Sequence, residues 1–92
     1  MTSPTKRTLE IVNVKGLHAR ASAKLVEVVE GYEASAMISK DGQSASGDSI
    51  MGLLMLAASK GSSIDVETSG PQAQPLADAL EALVADKFGE DM

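Results

Sequence analysis

The sequence predicts an α+β domain in which an antiparallel sheet carries helices on one face. Three observations predict it. Strand and helix signals alternate in the order β-α-β-β-α-β-α, the strand runs are short, and Asp41-Gly42 joins two of them as a tight hairpin. The 92 residues form one domain, 1–92, with mobile ends expected over 1–7 and 89–92. Tyr32 and Phe88 are the only aromatic residues, so the core must come mainly from Leu, Val, Ile, Ala and Met.

Each element has a local reason. Thr8 to Val14 is rich in β-branched residues and reads as a first strand with Leu9 and Ile11 inward. Gly16 breaks it. From Ala19 to Glu30, Ala21, Leu25, Val28 and Val29 form the stripe of an amphipathic helix, which Gly31 closes as a left-handed cap with Tyr32 packing back onto it. Ala34–Lys40 and Gln43–Gly47 flank the hairpin, with Ala36 and Ile38 inward. Ser49 caps a short apolar helix from Ile50 to about Ala58, and Gly61 ends that segment. Ser62 to Ser69 alternates strictly and places Ile64 and Val66 on one face. After the Gly70-Pro71 turn, a last helix runs from about Gln74 to Lys87 with Leu76, Leu80, Leu83 and Val84 on its stripe.

Composition narrows the function. The chain is 43% hydrophobic, 23% charged and carries a net charge of −5, as expected of an ordinary soluble globule. The acidity and the shortage of aromatic stacking surface argue against nucleic acid as a partner. Met1 to Arg7 has no apolar core for a secretion signal, and no apolar run reaches membrane-spanning length. Without cysteine there are no disulfides or thiolate metal sites, which fits a reducing cytoplasm. A single histidine makes a metal site improbable, and no cofactor signature is present.

That histidine, His18, is the most informative residue. It lies in Gly16-Leu17-His18-Ala19-Arg20, within a stretch whose only charges are Lys15, Arg20 and Lys24. Three positive charges there leave −8 for the rest of a chain that totals −5. No Ser, Thr, Asp or Asn occurs between 14 and 21 to cap the helix before Ser22, so His18 occupies the cap position. The unpaired backbone N–H groups from Ala19 onward, together with the helix dipole, make this end a receptor for phosphate. Arg20 adds a planar fork that matches phosphoryl oxygens. The positive surroundings favour an imidazole with a free nucleophilic nitrogen. Spacing alone leaves two readings open: a phosphoryl-receiving imidazole, or a surface residue that merely caps a helix.

The residues go further than spacing. Gly16-Leu17-His18-Ala19-Arg20-Ala21-Ser22-Ala23 strongly resembles the active-site segment of HPr, the histidine-containing phosphocarrier family of the bacterial phosphotransferase system. Ser49-Ile50-Met51-Gly52 resembles the regulatory serine segment of the same family, and the likeness spans about residues 8–87, including Gly31-Tyr32, Asp41-Gly42 and Lys60-Gly61. The resemblance implies an open-faced β-sandwich, a four-stranded antiparallel sheet with three helices on one face. It implies a monomeric carrier rather than an enzyme. In that role His18 takes a phosphoryl group on Nδ1 from phosphorylated Enzyme I, fed by phosphoenolpyruvate, and passes it to an enzyme IIA-type acceptor. Arg20 steadies the group and the Ala19 backbone N–H lies at the helix start. Two departures from the family pattern stand out: Lys15 replaces a small polar residue, and Ala21 replaces the proline common at the third helical position. Neither distinguishes the sugar-transport branch from the nitrogen-related one.

The second helix carries more apolar side chains than a core requires. At 100° per residue, Ile50, Leu53, Leu56 and Ala57 share one side, Met51 and Met55 point elsewhere, and Leu54 lies on the boundary. From periodicity this is either a fully buried helix or an adaptable docking patch. The resemblance implies docking by Ile50, Met51 and Leu54 to donor and acceptor proteins, with Lys24 among the partner-binding residues. It also implies phosphorylation of Ser49 by HPr kinase/phosphorylase. Gly52, unusual inside a helix, is read as a point where a partner approaches closely. Rival readings at this level are a regulatory binding module that never donates its phosphoryl group, and a small hydrolase that holds phosphate with Arg20.

Overall fold

A computed structural model describes residues 4–91. Its elements are β1 (Thr5–Glu10), α1 (Ala19–Glu30), β2 (Ser35–Lys40), β3 (Gln43–Ser46), α2 (Ile50–Met55), β4 (Ser63–Ser69) and α3 (Ala73–Ala85), followed by a single 3-10 turn, Lys87–Gly89. The four strands form one sheet in the order β1-β4-β2-β3, antiparallel throughout. β4 is therefore central, as its strict alternation suggests. Leu9 pairs with Ile64, and Ile38 lies across from both Val66 and Ala45, so one face carries a continuous apolar surface. The helices cover that face: Leu25 and Val29 from α1, Leu53 from α2, and Leu76, Leu80 and Val84 from α3 all belong to its core. The opposite face is bare, with Met37, Asp65 and Glu67 exposed.

The α1 limits coincide with the expected ones, and the hairpin forms with both Asp41 (φ 50°) and Gly42 (φ 81°) in the left-handed region, as a type I′ turn requires. Other boundaries move for identifiable reasons. The first strand begins at Thr5, because the seven-residue β4 offers partners as far as Thr68, and Arg7 reaches α3 to pair with Asp78 at 2.8 Å and Glu81 at 2.6 Å. Residues 5–7 of the segment expected to be mobile are thus paired, while 1–3 lie outside the described residues. The strand also stops at Glu10. Ile11 stays buried but bonds to the loop before β4, accepting from Gly61 N–H and donating to Ser62 O, each at 2.8 Å.

Gly31 is right-handed (φ −83°), not a left-handed cap; its N–H turns back to Val28 O and the Tyr32 N–H to Val29 O in a tightened last turn, and Tyr32 still packs against the core. α2 ends at Met55 rather than Ala58, because Ala57 takes a left-handed conformation (φ 52°). Ile50 and Ala57 accordingly lie at the surface, leaving only Leu53 and Leu56 of the expected buried side in the core. Gly52 is explained within the domain: a Cβ there would lie 3.1 Å from Ala45 on β3 and from the Ser49 hydroxyl. α3 stops at Ala85. Lys87 (φ 58°) and Phe88 (φ 56°) then reverse the chain and send the Phe88 ring fully into the core. Such left-handed backbone at two non-glycine residues is strained, and full burial of the ring opposes its release.

Candidate functional site

The loop from β1 to α1 presents His18 through three restraints. Gly16 is left-handed (φ 67°), and a Cβ on it would lie 2.4 Å from Ala58 O, so only glycine fits against the segment after α2. Leu17 is buried and its N–H donates to the same Ala58 oxygen at 2.8 Å. Early termination of α2 thus supplies the carbonyl that anchors the histidine loop. His18 follows in extended backbone (φ −79°, ψ −175°) and caps α1, its Nδ1 accepting from Arg20 N–H at 3.3 Å. Its carbonyl accepts from Ser22 N–H at 2.8 Å, so the residue is joined to the helix on both sides of its Cα.

The other ring nitrogen is also engaged. His18 Nε2 meets Glu90 Oε2, and Glu90 Oε1 accepts from Asn13 Nδ2 at 2.8 Å. Asn13 is fully buried and its amide also donates to Gly16 O at 2.8 Å. Glu90 therefore links the loop to the C-terminal tail. Hydrogen bonds from Asn13 and His18, helped by the nearby charge of Lys15, hold its carboxyl below the usual 4.5 despite partial burial. The tail reaches this position because Phe88 is buried and Lys24 Nζ donates to Phe88 O at 2.6 Å. Gly89–Asp91, expected to fray, instead form one wall of the site; Met92 lies outside the described residues.

Lys15, Arg20 and Lys24 converge as expected, lining a groove of about 310 Å³ with Val14, Gly89, Glu90 and Asp91. Larger grooves exist, including one of about 360 Å³ on the bare sheet face, but only the 310 Å³ groove is lined by Glu90, the residue that meets His18 Nε2. Ala19 and Arg20 are exposed at the helix start. Lys24 is half-buried and engaged with the tail, an internal role that its charge alone does not suggest. Ser49 caps α2, its hydroxyl accepting from Gly52 N–H at 3.0 Å. Beside it Met51 is 70% exposed and Met55 76%, with Ile50 exposed and Leu54 half-buried, so α2 offers an apolar surface.

Sequence reasoning missed Asn13, Glu90 and Phe88. The signals available were weak: an Asn three residues before a Gly, and an isolated aromatic next to a glycine near the end.

An open-faced sandwich whose first helix is capped by an imidazole defines the class of this domain. Comparison with known proteins makes that class specific. The family model described as the PTS HPr component phosphorylation site matches residues 5–86. The chain is 46% identical to the phosphocarrier protein HPr of Cupriavidus necator over 85 residues, covering 92% of this chain and 96% of the relative. It is 41% identical to the phosphocarrier protein NPr of Escherichia coli K12 over 87 residues, covering 94% and 97%. The crystal structure of HPr-C-His from Thermoanaerobacter tengcongensis superposes with a TM-score of 0.90 at 32% identity, covering 96% of this chain and 99% of that one. The chain belongs to the HPr family of phosphotransferase-system phosphocarriers. Among the described residues no helix is long and apolar enough to cross a membrane.

Proposed function

We propose that His18 accepts a phosphoryl group from phosphorylated Enzyme I, charged by phosphoenolpyruvate, and passes it to an enzyme IIA-type protein in the cytoplasm. The observation that carries this reading is the orientation of Nδ1, turned toward the amide of Arg20 at the start of α1. In the forward step the Nδ1 lone pair attacks phosphorus while the donor's N–P bond breaks and its electron pair returns to the donor nitrogen. The Arg20 N–H that now donates to Nδ1 is released to a phosphoryl oxygen, and the Ala19 N–H stands beside it at the helix start, where partial positive charge favours an anion. The Arg20 guanidinium, free at the surface, can grip two further oxygens. Transfer onward is the same displacement in reverse, with the acceptor's histidine as nucleophile.

Ile50, Met51 and Leu54 form the docking patch for both partners, and Lys24 contributes positive charge at the edge of the groove. The chain works as a monomer. Ser49 is the target of HPr kinase/phosphorylase. A phosphate there would place nearly two negative charges next to Asp48 and the apolar patch, opposing association with Enzyme I. The test uses phosphoenolpyruvate and Enzyme I with the wild-type chain, His18→Ala and Ser49→Asp. The wild type should take one acid-labile, alkali-stable phosphoryl group, His18→Ala none, and Ser49→Asp should label more slowly. Labelling that survives His18→Ala refutes the carrier site, and full-speed labelling of Ser49→Asp refutes the inhibitory role.

A further inference from the structure

The tail contact has the geometry of a second catalytic determinant. Nδ1 accepts from a backbone N–H, so in the neutral ring the proton must reside on Nε2, where it points at Glu90 Oε2. The second carboxylate oxygen of Glu90 is held by Asn13, whose orientation is forced: its amide nitrogen faces two acceptors, Gly16 O and Glu90 Oε1, and a flipped amide would set oxygen against both. Asn13 is fully buried and its own Oδ1 has no partner among the described residues. A buried amide kept at the expense of one unsatisfied oxygen marks a position selected for what its other atoms do. The carboxylate is itself mostly buried, with 15% of its side chain exposed, and the 3-10 turn that delivers it is anchored by Phe88 and by Lys24.

From this arrangement we infer that Glu90 is a positioning residue for phosphoryl transfer: through Nε2–H it fixes the ring so that the Nδ1 lone pair faces the donor, and it balances the positive charge that the ring acquires when Nδ1 bonds to phosphorus. The inference rests on the proposed function. The atoms balance without a proton leaving the ring. As the Nδ1–P bond forms and the donor N–P bond breaks, Nε2 keeps its hydrogen, and the imidazolium character that develops is shared with the Glu90 carboxylate. Because Glu90 sits on the side of the ring opposite Nδ1, it does not occupy the place of the incoming group. Asn13 fixes the carboxylate and so acts one step further out.

The test is the rate of labelling by phosphoenolpyruvate and Enzyme I over a range of carrier concentrations, for wild type, Glu90→Ala and Glu90→Gln. The Nε2–H proton resonance is followed in the same three proteins. Glu90→Ala should lower kcat on the order of tenfold, the smaller end of what outer partners of functional imidazoles are worth, with KM unchanged. Glu90→Gln, a neutral acceptor in the same place, should lose about threefold, because a charge-assisted hydrogen bond is roughly twice as strong as a neutral one. The wild type should show a downfield Nε2–H resonance protected from exchange, absent in Glu90→Ala. An unchanged or raised kcat in Glu90→Ala overturns the inference, as does an Nε2–H resonance indifferent to the substitution. A wild-type chain that takes no label removes the carrier reading itself, which separates the two failures.

Discussion

At the entrance of α1 the imidazole of His18 accepts the N–H of Arg20, and at the entrance of α2 the hydroxyl of Ser49 accepts the N–H of Gly52. Both residues are extended and both caps lie on loops that face solvent. The surroundings differ. The hydroxyl sits within hydrogen-bond range of its own helix at 3.0 Å, with Asp48 before it and Met51 and Met55 after it in the chain. The imidazole makes a longer 3.3 Å contact and is clamped from behind by a carboxylate 72 residues away in sequence, which itself lines a groove with Lys15, Arg20 and Lys24. Ser49 is a good cap with local support. His18 is a poor cap held by tertiary contacts, which is what the proposed carrier role asks of the position.

The comparison can be broken at its strongest point through Phe88. Replacing it with alanine should cost about 3–5 kcal/mol in denaturant unfolding and release the tail from His18, while the amide resonances of Ser49 and Gly52 stay in place. Ser49→Ala should cost only about 1 kcal/mol, the ordinary worth of a cap, and leave the tail docked. Equal effects of the two substitutions on the His18 ring would show that the entrances are not independent.

A smaller effect sharpens the contrast. The folded Glu90 carboxyl titrates below its ordinary 4.5. A group depressed in this way contributes stability that is fully present above its unfolded value and is lost as pH falls through the folded one. The stability difference between wild type and Glu90→Gln should therefore shrink as pH falls below 4.5. The deficit of Ser49→Ala should stay flat over the same range, since no titrating atom takes part in that hydrogen bond.

Much of the fold was legible because it is written in local periodicity. The Leu25–Val29 stripe sets α1, the Asp41-Gly42 pair sets the hairpin, and the alternation around Ile64 and Val66 sets the central strand. His18, Arg20 and the cation cluster were legible for a related reason: a missing conventional cap and an absence of acids are visible one residue at a time. What failed to show was non-local. Nothing in Gly89-Glu90-Asp91 reveals that Glu90 returns to Asn13 and His18; by composition the segment reads as a fraying end. The left-handed turns at Ala57, Lys87 and Phe88 run against residue preference and are imposed by packing. The strand at Thr5–Arg7 is hidden by two charged residues whose partners lie elsewhere, Glu67 on β4 for Lys6 and Asp78 and Glu81 on α3 for Arg7.

The central claim concerns which ring nitrogen is free. A phosphorus–nitrogen correlation spectrum of the ring-labelled, phosphorylated chain tests it most directly. With Nδ1 turned to the start of α1 and Nε2 engaged by Glu90, phosphorus should couple to Nδ1 while Nε2 retains its proton. Coupling to Nε2, or phosphorus bound to no histidine nitrogen at all, would contradict the account.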